Sequence, residues 1–207
     1  MFIERPPEWY RKLFPGAIFR MPSSDDARPR VFLTFDDGPI PEVTPWVLSC
    51  LEDFGVKATF FMVGQNIERY PWLLQEVISK GHKVGNHTLH HIQGRGKSSI
   101  EYFEDAKKGE ILTNSKLFRP PHGWLSRSQL TKVSEEYKVI MFDLVTRDYS
   151  SRLTADDVIQ NVKKLARNGS IIVFHDSLKS LPRLKEALPS SLKWLLSEGY
   201  SFELCDF

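Results

Sequence analysis

Residues 31–39 read Val31-Phe32-Leu33-Thr34-Phe35-Asp36-Asp37-Gly38-Pro39. The first five form a short apolar strand, and the chain then passes at once into two carboxylates and a Gly-Pro turn. The same pattern recurs downstream. Strands are expected over Ala58–Val63, His82–Gly85, Leu117–Phe118, Tyr137–Val145, Ser170–Phe174 and Tyr200–Leu204. Helix-period segments separate them at Thr44–Phe54, Trp72–Ser79, Ser98–Thr113, Ser126–Glu136, Thr154–Ala166 and Leu184–Ser197. Strand and helix alternate strictly, which requires a parallel sheet with helices outside it. Seven strands are one short of the eight-stranded barrel. The expected architecture is therefore an α/β fold, a distorted and incompletely closed (β/α) barrel of about seven parallel strands, with an open doubly wound sheet as the alternative. In both, ligands gather at the carboxyl ends of the strands.

Composition sets the outer limits. A chain of 207 residues suits one α/β domain, and 41% hydrophobic with 26% charged residues are ordinary globular values. They exclude disordered, collagenous and membrane classes. A net charge of +2 carries no nucleic-acid stripe, and no apolar run approaches the roughly 18 residues of a membrane span. Cys50 and Cys205 are too few for a disulfide framework and are expected to be buried free thiols. Residues 1–29 read as an N-terminal extension and 30–207 as the catalytic domain. Glu4, Arg5, Glu8, Arg11, Lys12 and three prolines interrupt any leader-like apolar stretch, so a cytoplasmic location is expected. Trp9, Leu13 and Phe14 beside Arg11 and Lys12 suit either a short interfacial anchor or aromatics packed on the domain. The short apolar stripe favours packing. Residues 22–29 read as a polar loop, and the protein is expected to be a monomer.

Polar clusters follow the strands. Asp36-Asp37 follows the first, His87-Thr88-Leu89-His90-His91 the third, and Arg119-Pro120-Pro121-His122-Gly123 the fourth. Asp143, Asp148 and Tyr149 follow the fifth, and His175-Asp176 the sixth. Two acids in one site separate into roles, one ligating and one accepting protons. His87 and His91 are four apart, so one helical turn would put both on one face, and with a carboxylate they make an O,N,N set that leaves a position for water. His90 is the competing partner at spacing three, and His82 reads as a packing or capping residue. Arg119, ahead of two rigid prolines, is suited to fix a carboxylate. His175 needs an acid partner to stay protonated, and Asp148, Asp143 or Asp176 could supply it.

The ordered set Thr34-Phe35-Asp36-Asp37-Gly38-Pro39, His87-Thr88-x-x-His91, Arg119-Pro120-Pro121-x-Gly123, Asp148-Tyr149 and Val173-Phe174-His175 resembles the polysaccharide deacetylases of carbohydrate esterase family four. The resemblance runs from about Val31 to Phe207. It implies a distorted (β/α) barrel that hydrolyses N-acetyl groups on a chitin- or peptidoglycan-like glycan, with O-acetyl ester hydrolysis or a non-catalytic carbohydrate-binding relic as alternatives. It implies Asp37, His87 and His91 as ligands of one divalent metal, zinc first, with cobalt or nickel as substitutes. It further implies Asp36 as general base held by Arg119, the His122 backbone N–H as oxyanion donor, and His175 as general acid oriented by Asp148. Tyr149 and Val173 would line a small acetyl pocket. Two positions depart from the family pattern: Val145, where an Asp is common, and Tyr149, where Trp is common.

Overall fold

The computed structural model describes residues 4–22 and 28–206. The polar loop expected over 22–29 lies, for residues 23–27, outside the described residues.

β1 (Arg30–Asp36) is buried along all but its first residue, which a strand with covered faces and parallel neighbours on both sides demands. The chain begins with a single helical turn, α1 (Glu8–Arg11), before β1. It continues through α2 (Thr44–Asp53), β2 (Thr59–Met62), α3 (Gly64–Arg69), α4 (Pro71–Ser79), β3 (Lys83–Asn86), α5 (Ser99–Thr113) and β4 (Leu117–Phe118). Then come α6 (Arg127–Ser134), β5 (Lys138–Val139), β6 (Leu144–Val145), α7 (Ala155–Leu165), β7 (Ser170–His175), α8 (Leu181–Ser197) and β8 (Ser201–Phe202). Local chemistry sets several boundaries. Ser98/Glu101, Ser126/Gln129 and Thr154/Asp157 each form a reciprocal capping box, and Asn114 ends α5 in the left-handed conformation.

All strand pairs in the sheet are parallel, in the order β5-β4-β3-β2-β1-β7-β6, with β8 attached to β1. The incompletely closed barrel is as expected, with one local difference. The run 137–145 is not one strand but two, β5 and β6, at opposite ends of the order. Between them Ile140 and Asp143 bond to different partners, the Ile140 N–H to the Phe118 carbonyl and the Asp143 N–H to that of Ile171. The chain thus crosses the gap between the two sheet edges.

The N-terminal segment fills that gap. Ile18 pairs with Ile140 in parallel and Arg20 with Ser170 in antiparallel fashion, and the Met21 N–H donates to the Gly169 carbonyl at 2.9 Å. Gly169 is obligatory here: a Cβ on it would lie 2.1 Å from the Met21 oxygen, and its φ is +82°. Tyr10, Phe14 and Phe19 are buried in one cluster with Tyr102, Phe118, Tyr137 and Val173, whereas Trp9 and Leu13 face outward. A larger apolar layer packs α2, α4, α7 and α8 against the outer face of the sheet. Cys50 and Cys205 are buried free thiols. Among the described residues no helix is long and apolar enough to cross a membrane.

Register decides where the chemistry falls. Asp36 pairs with His175, Met62 with Asn86, Asn86 with Phe118, and Val145 with Val173. Because every pair is parallel, these strand ends share one rim, and the residues that follow them form a ring.

Candidate active site

Asp36, the last residue of β1, points its carboxylate inward to the Arg119 guanidinium, Nη1 to Oδ1 at 2.7 Å. Arg119 is itself 1% exposed inside the barrel. It donates to Thr34 Oγ1 at 2.7 Å and to the carbonyls of Ile140 and Met141 at 3.2 and 3.0 Å, and it stacks over the Phe61 ring at 4.1 Å. A buried guanidinium tolerates this environment only because its donors are matched.

Asp37 adopts φ +82°, which turns its carboxylate away from that of Asp36 and toward the loop after β3. Gly38 follows because nothing larger fits: a Cβ would lie 2.0 Å from Asp176 Oδ2, whose partner oxygen accepts the Gly38 N–H at 3.0 Å. Thr44 Oγ1 donates to the same Asp176 carboxylate at 2.7 Å. Burial and the Asp37 charge push Asp176 up to about 8.

The loop after β3 carries His87 and His91. Their Nε2 atoms lie 3.9 and 3.2 Å from Asp37 Oδ1, and the three donor groups all fall within 4.8 Å of one another. A tetrahedral ion with bonds of about 2.1 Å separates its ligand atoms by roughly 3.4 Å, so the set fits such an ion. The ring protons fit as well. His87 Nδ1 lies 2.7 Å from the Arg119 carbonyl, which can only accept, so Nδ1 carries the hydrogen and Nε2 offers its lone pair. Burial lowers His87 to about 4, which keeps the imidazole neutral. Against the cost of burial, the His91 hydrogen bond and the charge of His175 hold the Asp37 carboxyl well below the usual carboxylate range.

Across the cavity, His175 Nδ1 lies 2.8 Å from Asp148 Oδ1, and the His175 backbone N–H donates to Oδ2 at 2.8 Å. Burial opposes the charged ring, but the fully buried Asp148 carboxylate raises His175 to about 9. The Tyr149 ring stands edge-on to His175 with centroids 4.8 Å apart. A cavity of about 220 Å³ joins these groups, bounded on its apolar side by Phe142, Val145, Tyr149 and Val173 and also lined by His122, Gly123 and Lys179.

The profile of the family described as polysaccharide deacetylase matches residues 23–140. The chain belongs to the polysaccharide deacetylase family. It is 31% identical over 180 residues to a peptidoglycan-N-acetylglucosamine deacetylase of Bacillus cereus, covering 83% of this chain and 84% of that one. It is 32% identical over 164 residues to a chitooligosaccharide deacetylase of Sinorhizobium fredii, covering 75% and 76%. Its fold is similar to the crystal structure of a peptidoglycan N-acetylglucosamine deacetylase in complex with 4-naphthalen-1-yl-N-oxidanyl-benzamide, with TM-score 0.85, 30% identity, and 95% and 93% of the two chains covered.

Asp36, Asp37, His87, His91, His122, Tyr149, Val173 and His175 line one cavity, with Arg119 and Asp148 directly behind it. Two sequence expectations need correction, and one open choice is resolved. His87 and His91 do not meet on a helical turn: residues 87–91 are an irregular loop, with left-handed φ at Thr88 and His91, that folds the rings to 5.0 Å between centroids. Asp143 is not at the carboxyl rim. It is fully buried at the start of β7, bonded to Arg11, Arg167 and Ser170, because the strand expected over 137–145 breaks before it. Of the three acids considered for His175, Asp148 takes it, and Asp176 faces Gly38 and Thr44 instead. His90 turns away from the triad to Asp105, Nδ1 to Oδ2 at 2.6 Å, and His82 Nδ1 accepts the Ala58 N–H at 3.1 Å.

Sequence reasoning missed Phe142 and Lys179 in the cavity lining. It also missed Asp105, whose Oδ1 accepts the N–H groups of both Leu89 and His90 at 3.0 Å and so fixes the loop that carries His91. A signal for Asp105 existed: it lies on the buried stripe of α5 with Tyr102, Ala106 and Gly109, where an acid needs a polar partner.

Proposed function

We propose that the chain is a metal-dependent deacetylase that hydrolyses N-acetyl groups on a glycan of the chitin or peptidoglycan kind. The observation that carries this is the convergence on one small cavity of an O,N,N donor triad, an ion-paired carboxylate and an aspartate-bound imidazole, in a chain of this family. Asp37, His87 and His91 would hold the divalent ion, zinc first and cobalt or nickel as substitutes. When bound, the ion supplies Lewis-acid polarisation of the acetyl carbonyl and lowers the pKa of water.

The chain's own residues do the rest. Asp36, held by Arg119, accepts the proton of the attacking water. The His122 backbone N–H donates to the oxygen on which negative charge develops, a contribution of roughly 3–4 kcal/mol for such a donor. His175 protonates the sugar nitrogen as the C–N bond breaks, since an amide anion leaves poorly, and Asp148 orients the ring and stabilises its charge. The new C–O bond and the broken C–N bond give acetate and a free amine. Phe142, Val145, Tyr149 and Val173 enclose a space suited to a methyl group rather than a long acyl chain.

The test is acetate release matched by primary-amine formation on N-acetylated oligosaccharides and peptidoglycan, beside an O-acetylated xylan. Equal acetate and amine from an amide substrate is the expected result. Acetate from the ester alone would move the assignment to ester hydrolysis, and none from any substrate would leave the carbohydrate-binding relic.

A further inference from the structure

The N-terminal segment touches the site on both sides. Tyr10 is 7% exposed, and its ring packs between Phe14 and Phe19 with centroids 5.1 and 6.3 Å away. Its hydroxyl donates to the carbonyl of Gly123. That carbonyl belongs to a turn with an unusual backbone: His122 and Gly123 are both left-handed, at φ 60° and 65°. A left-handed residue that is not glycine persists only where its surroundings hold it. Inside the turn, the Gly123 N–H to the Pro120 carbonyl at 3.0 Å is one hold. Tyr10 supplies another from outside. On the opposite wall, the Val145 N–H donates to the Glu4 carbonyl at 2.8 Å, and the Glu4 carboxylate pairs with Arg147, the residue before Asp148. Just beyond Tyr10 the segment is tied down by Arg11 on buried Asp143 at 2.6 Å.

We propose that Tyr10, carried on a strap of residues 4–21 packed along the barrel edge, is a positioning residue which sets the His122–Gly123 turn in the cavity lining. The inference rests on the reading of the His122 N–H as oxyanion donor. Tyr10 touches neither substrate nor metal and acts through the turn that carries that donor, holding the Gly123 carbonyl two peptide units beyond the His122 N–H. Burial raises its phenol to about 12, so it remains a donor throughout the neutral range. Small displacements of an oxyanion donor are costly because the interaction depends on distance to the transition-state oxygen.

The test compares Tyr10→Phe, which keeps the ring and removes the hydroxyl, with Phe14→Leu, which loosens strap packing without touching the turn. For Tyr10→Phe, kcat on an N-acetylated oligosaccharide should fall about tenfold, a fraction of the 10²–10³ that a whole oxyanion donor supplies. KM and zinc stoichiometry should stay near the parent values. Phe14→Leu should lower the melting temperature and leave kcat per folded molecule unchanged. A second readout needs no turnover: hydrogen exchange in the peptide spanning residues 119–125 should quicken about fivefold in Tyr10→Phe, the factor one ordinary hydrogen bond is worth. Parent kcat in Tyr10→Phe, or a loss that Phe14→Leu reproduces at equal stability, overturns the proposal. Should the parent chain release no acetate at all, the proposed function fails on its own, and unchanged exchange at 119–125 would then overturn the strap independently.

Discussion

Replacing Asp148 by Asn separates the acid role of His175 from its mere presence in the cavity. The aspartate is fully buried and gives both oxygens to His175, one to Nδ1 and one to the backbone N–H, each at 2.8 Å. With it, His175 stands at about 9 rather than the ordinary 6.5. That difference corresponds to roughly 3 kcal/mol in favour of imidazolium. Asparagine offers one acceptor oxygen and no charge, so one of the two contacts is lost and burial then pushes the ring below 6.5. At about pH 7.5 a ring at 9 is nearly all protonated, whereas a ring at 6.5 or below is protonated in about a tenth of molecules or fewer. kcat at that pH should therefore fall tenfold or more. The alkaline limb of the kcat profile should move from near 9 to below about 7. The assay is acetate release at saturating substrate across about pH 5 to 10, with zinc content measured at each end. An alkaline limb that stays near 9 in Asp148→Asn would refute the assignment of His175 as a proton donor held charged by Asp148.

Other outcomes follow from the same geometry. Asp36→Asn should retain the metal and lose at least about 10²-fold in turnover, the usual scale for a general base, and unchanged turnover would remove Asp36 from the mechanism. His87→Ala removes a triad donor whose lone pair the Arg119 carbonyl fixes, so elemental analysis should find less than one ion per chain. Asp143 is held down to about 2, against burial, by its bonds to Arg11, Arg167 and Ser170. A depressed carboxylate contributes stability that is present above about pH 4 and lost as pH falls toward 2, here roughly 2 kcal/mol. Thermal melts of the parent protein should therefore decline in that window, and Asp143→Asn should melt lower at neutral pH with a flatter acid limb.

Much of the architecture was legible because most of the expected strands are short apolar runs closed by a polar cluster, and parallel register then carries most of those residues to one rim. Asp36, Asp37, Arg119 and His175 could be placed from their strand ends alone. The histidine pair could be named but not its geometry: spacing four suggested a helical turn, whereas left-handed backbone at Thr88 and His91 and the Asp105 clamp bring the rings together. Asp143 misled because apolar continuity over 137–145 hides a crossing from one sheet edge to the other. Sequence spacing gives no reason for Ile18 and Arg20 to pair with the barrel, or for Tyr10 to reach Gly123, since those contacts span more than a hundred residues. Such long-range pairings are settled by which edge is left open, a property of the folded sheet rather than of any local stretch.

The central claim is that Asp37, His87 and His91 carry an ion without which acetate is not released. It is tested most directly by stripping the protein with chelator and following acetate release from an N-acetylated oligosaccharide as zinc is returned. Activity should vanish on stripping and recover to a plateau at one zinc per chain. Full activity in the stripped protein, or a plateau that His91→Ala reaches equally well, would contradict it.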